Sequence, residues 1–75
     1  VSKKSDLKKA IAESEKEIEE LEKKRTRSQS ALLEALLNNT TPKETDREYF
    51  KVFTSLIELE RANLRKLTEE LNSLD

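Results

Sequence analysis

Apolar residues recur along this chain in steps of three and four. In the second half Phe50, Phe53, Ile57, Leu64, Leu67, Leu71 and Leu74 keep that spacing, which lines one face of a helix and lets a second helix pack along it. The slot between Ile57 and Leu64 is filled by Glu60. In the first half Leu7, Ile11, Ser14, Ile18, Leu21, Arg25, Ser28, Leu32 and Ala35 form a matching line with polar residues in three slots. Between the lines runs NNTTPKET, polar and β-branched, with two asparagines suited to ending a helix. The pattern predicts an all-α fold, an antiparallel two-helix coiled-coil hairpin over residues 1–75, with a helix over about 4–37, a turn over about 38–45 and a helix over about 46–74. Thr41 to Glu44 and Thr45 to Glu48 each place Thr three residues before Glu, the spacing of a capping box, so the second helix has two candidate starts, at Pro42 or after Thr45.

In an antiparallel pair, facing residue numbers add to a nearly constant value. A sum of 85 sets Arg25 against Glu60, Leu32 against Phe53, Leu21 against Leu64, Ser28 against Ile57 and Ile11 against Leu74. Large apolar residues then meet each other, and the two charged intruders form a register pair. A sum of 78 sets Arg25 against Phe53 and Leu32 against Asp46, stranding charge in apolar layers. The expectation is therefore 85, with the first residues of helix one projecting past the end of helix two.

Near the turn the apolar positions outnumber what one seam can cover. Leu33 and Leu37 on the first helix, and Tyr49, Val52, Leu56 and Leu59 on the second, fall outside the main lines. Val52, Leu56 and Leu59 form a second stripe about 100° around the helix. These six are the candidate partner-binding residues, because exposed apolar stripes mark association. Self-association into a four-helix bundle and docking of a different protein both satisfy the pattern.

Composition narrows the chemistry. With 41% charged and 33% hydrophobic residues in 75, no glycine and a single proline, the chain suits a long thin helical object. A net charge of -1 offers no electrostatic case for nucleic acid. No apolar run approaches the roughly 20 residues a membrane span needs. Cysteine and histidine are both missing, which removes thiolate nucleophiles, the common zinc ligand sets and the usual proton shuttle. No enzyme activity, cofactor or metal is expected, and the expected location is cytoplasmic, since the first residues carry no secretory signal. The cluster KKRTR over residues 23–27 reads as a solvated helix face. In RTRSQS, Arg25 precedes Ser28 by three, a spacing that basic-directed kinases use.

The segment LKKAIAESEKEIEELEKKR, the turn NNTTP and the leucines of LRKLTEEL resemble homology region 1, the antiparallel coiled-coil hairpin of Rho-effector kinases and some F-BAR adaptors. Tyr49 and the later Leu59-Glu60 are similar, more faintly, to small hairpin co-chaperones of type III secretion. The first resemblance implies a small GTPase as partner, the second a secretion substrate held on an apolar helical face. The functional expectation is a non-enzymatic protein-interaction module presenting an apolar surface near its turn. The alternative is a structural oligomerisation or spacer coiled coil belonging to a longer protein.

Overall fold

A computed structural model describes residues 2–74; Val1 and Asp75, the ends of the expected unit, lie outside the described residues. Two helices, α1 (Lys3–Leu37) and α2 (Glu44–Asn72), pack against each other as a hairpin. The rod measures 56 × 15 × 15 Å, about the length that 35 residues reach at 1.5 Å of rise each.

Local chemistry sets the helix ends. Ser2 caps α1, its side chain accepting the Ser5 N–H at 3.0 Å. At the other end Asn39 takes the left-handed conformation, φ 55°, which asparagine tolerates better than most residues. The Asn39 N–H then reaches the Leu36 carbonyl and the Thr40 N–H the Ala35 carbonyl. That is a Schellman closure, and it satisfies carbonyls the helix end leaves open.

The start of α2 differs from both expected capping boxes. Its N-cap is Lys43, with no side-chain hydrogen bond, so neither Thr41 nor Thr45 caps. Pro42 stands before the cap rather than at the first helical position. Glu44 and Asp46 in the first turn favour this end through the helix dipole instead.

The register is not the expected one. Glu60 does not meet Arg25: its Oε1 accepts from Ser14 Oγ at 2.8 Å and from Asn63 Nδ2 at 3.3 Å. Ser14 lies eleven residues from Arg25, about 16 Å along the helix. The two cross-helix side-chain contacts, Ser14 with Glu60 and Arg61 with Glu22, have sums of 74 and 83, and with Lys24, Ser28, Tyr49 and Phe53 lining one groove and Ala31 and Asp46 another, the alignment centres near 78, the alternative that the sequence pattern argued against. Ser28 accordingly sits beside Tyr49 and Phe53 rather than Ile57. Carried to the helix ends, an alignment near 78 sets Leu74 level with Lys4, against Ile11 for a sum of 85, so the overhang of α1 expected from 85 does not arise.

The physical reason has two parts. The Schellman closure reverses the chain at 38–40, earlier than a turn centred for a sum of 85 requires. In addition, a two-helix seam is open at its edges, so an arginine there needs no carboxylate. Arg25 is only half-buried and forms no ion pair among the described residues, consistent with a long stem lying on apolar surface while its head reaches water.

Along the seam Leu7, Ile18, Leu21 and Ile57 are buried, Ile57 completely. Ser14 and Ser28 are buried beside them. Ser14 satisfies its hydroxyl on Glu60, and Ser28 has its nearest acceptor in the Lys24 carbonyl at 3.5 Å.

Candidate functional site

Helix geometry decides which faces the surplus apolar residues occupy. At 3.6 residues per turn, positions three, four, seven and eleven apart share a side, whereas positions two apart lie about 200° from each other. On one side of the hairpin the Arg61 guanidinium donates to Glu22 at 3.0 Å, tying α2 to α1. Leu33, eleven residues on from Glu22, belongs to this side, and Leu36 and Leu37 lie within about 60° of it. All three are exposed, Leu37 to 83%.

On the other side Lys24, Arg27, Ser28, Tyr49 and Phe53 line a shallow groove. The Tyr49 and Phe53 rings stack with centroids 6.1 Å apart and planes 18° from parallel. From Tyr49 a stripe continues through Val52, Leu56 and Leu59 in steps of three, four and three. Every member is exposed, Leu59 to 68%. Beside it on α1 the same spacing runs through Glu13, Glu17, Glu20, Lys24, Arg27 and Ala31.

The six residues singled out from the sequence, Leu33, Leu37, Tyr49, Val52, Leu56 and Leu59, are thus all solvent-facing. They do not make one surface. Leu33 and Leu37 gather with Leu36 on the Glu22 side, while Tyr49, Val52, Leu56 and Leu59 gather on the Lys24 side. Arg25 and Glu60 are not brought together.

Leu36 belongs to the same turn-proximal surplus of apolar residues but was not among the six, and Lys24 and Arg27 were read as part of a plain solvated face. Their spacing of three, continuous with Glu20, was the available signal. Lys24 and Arg27 form no ion pair among the described residues, whereas neighbouring Lys23 lies within 3.5 and 3.7 Å of Glu19 and Glu20.

No group of three or more acidic side chains among the described residues is arranged to hold a metal ion. No helix among them is long and apolar enough to cross a membrane. The surface chemistry on offer is apolar contact with a charged margin. No protein-family model matches this chain, and no curated protein or solved structure matches it either.

Proposed function

We propose that this hairpin is a non-enzymatic protein-interaction module that presents turn-proximal apolar surface to a partner protein. One observation carries the reading. Of the eight large hydrophobic residues exposed among the described residues, six (Leu33, Leu36, Leu37, Tyr49, Val52 and Leu56) lie in the half nearer the turn, Leu59 lies near the middle of the rod, and Leu74 lies at the far end. Burying one such side chain is worth roughly 1.5 to 3 kcal/mol. Covering three or four therefore offsets a substantial part of the cost of association.

The resemblances noted from the sequence imply a small GTPase or a secretion substrate as that partner. The residues themselves ask for a surface of helical or similar shape with apolar anchors.

Site-specific photo-crosslinking in the native cells tests the reading. A photoreactive phenylalanine analogue at position 37 should yield a discrete adduct with another protein, and the same analogue at position 16, on the charged distal half, should yield none. Adducts at neither position from a folded chain would sink the proposal. Adducts at 37 consisting only of this chain would favour the spacer or oligomerisation alternative.

A further inference from the structure

The groove on the Lys24 side joins apolar surface to unanswered charge. Tyr49 and Phe53 stack within it, and Lys24 and Arg27 stand along its α1 margin. Neither cation forms an ion pair among the described residues. For Arg27 the reason is local: the residues one turn away on its own helix are Lys23, Lys24, Ser30 and Ala31, and none is acidic. Lys24 has Glu20 at helical spacing, but the Glu20 carboxylate lies 3.7 Å from Lys23 instead. Farther from the turn the same margin becomes acidic through Glu17 and Glu13. Glu17 has Glu13, Ser14, Glu20 and Leu21 one turn away, and it too forms no ion pair among the described residues. The outer margin, on α2, offers Glu48, whose charge is answered by Lys51 at 4.0 Å.

The stripe from Tyr49 to Leu59 is thus an apolar strip about 15 Å long, bordered on α1 by unpaired cations at its Tyr49 end. With the alignment near 78, Glu17 falls level with position 61, so an unpaired carboxylate stands just past the Leu59 end.

We propose that this strip binds an amphipathic helix of a different protein. That helix lays its apolar face on Tyr49, Val52, Leu56 and Leu59, with acidic residues where it passes Lys24 and Arg27 and basic ones where it passes Glu17 and Glu13. A second copy of this chain does not supply the pattern. Laid parallel, it sets every charge level with itself. Laid antiparallel about the centre of the strip, position 54, it still sets Lys24 level with the other copy's Lys24.

The inference rests on the interaction-module reading and assigns the chemistry of the occupant of one of its two faces. It is tested on the purified full chain with a displayed library of peptides about five helical turns long, leucine fixed at steps of three and four and every other position random. Selection should enrich Asp and Glu toward one end of the peptide and Lys and Arg toward the other. On Lys24→Glu with Arg27→Glu the acidic end should be replaced by a basic one, and on Glu13→Lys with Glu17→Lys the basic end should be replaced by an acidic one. A synthetic peptide of the consensus should bind the first of these variants about tenfold more weakly than wild type, since two exposed pairs are lost, and more weakly to wild type as salt rises. Leu56→Glu with Leu59→Lys should abolish binding while circular dichroism shows unchanged helix content.

Selection that enriches no peptide, or peptides without charge bias, would overturn the proposal, as would a bias that stays the same in the reversed variants. A wild-type chain that sediments as a dimer and dissociates in Leu56→Glu with Leu59→Lys would make a second copy the occupant and overturn it too. Such a failure would leave the crosslink at position 37, on the other face, untouched, and loss of that crosslink would leave the peptide result standing.

Discussion

The two halves of the rod distribute apolar residues and burial in opposite senses. The half away from the turn has the fewer large apolar side chains, yet it buries Leu7 and Ile18 and satisfies Glu60 on buried Ser14, with Leu21 buried at its inner edge. The half next to the turn holds every aromatic residue. It leaves six large apolar residues exposed, Leu33, Leu36, Leu37, Tyr49, Val52 and Leu56, and Leu32, Phe50 and Phe53 only half-buried. Apolar content that goes uncovered does not stabilise the hairpin in which it sits. The distal half therefore behaves as the structural clamp, with Ile57 as the junction, and the turn-proximal half as surface held ready.

The largest expected effect tests that division directly. Ile57→Ala removes the one large side chain completely buried among the described residues and should cost about 2 to 5 kcal/mol, enough to lower the thermal midpoint of so small a domain severely. Leu59→Ala, at the far end of the exposed stripe and itself 68% exposed, should change the unfolding free energy of the monomer by no more than about 0.5 kcal/mol. Equal costs for the two in denaturant titrations at low concentration would erase the distinction between clamp and surface.

A middle-sized effect sharpens the account of the seam. Ser14→Ala takes a donor from the Glu60 carboxylate and should destabilise by about 1 to 3 kcal/mol. A double-mutant cycle between Ser14 and Glu60 should show clear coupling, and the cycle between Arg25 and Glu60 almost none. Coupling of the second pair comparable to the first would restore the sum of 85 and displace the observed register.

The smallest effect belongs to the cross-helix ion pair of Glu22 and Arg61. Both side chains are close to half exposed, so their coupling should be about 0.2 to 1 kcal/mol and weaken with salt. A salt-independent coupling would mean that this side of the hairpin is covered rather than open.

Much of the fold was legible in the sequence because it depends on local spacing. Steps of three and four specify amphipathic helices wherever they occur, and Asn38-Asn39 ends a helix through backbone conformations that asparagine tolerates. The bounds of α1 came within a residue, and those of α2 within two. The exposure of Val52, Leu56 and Leu59 was legible for the same reason, since residues about 100° from a seam have nothing in a two-helix hairpin to cover them.

The caps of α2 were less legible. A capping box is defined by spacing, but its geometry also depends on the backbone that leads into it, and here Pro42 precedes a cap at Lys43. The grouping of the exposed residues was illegible until the helices were set side by side. Leu37 and Tyr49 both lie near the turn, and only the Glu22–Arg61 contact and the Lys24, Arg27 and Tyr49 groove reveal that they face opposite ways.

What the sequence determined by itself was therefore one-helix information: two amphipathic helices, the place where the chain reverses, and a surplus of apolar surface near that reversal. Alignment of the helices was decided only by tertiary structure. Two heptad lines match themselves again after every shift of one repeat, and with serines, an arginine and a glutamate in several slots the competing alignments differ by only a few contacts. The closure at Asn39 and the reach of the Glu60 carboxylate to Ser14 select among them. Because the seam is open to water along both edges, a half-buried Arg25 needs no charged partner, and the rule that intruding charges must meet lost its force.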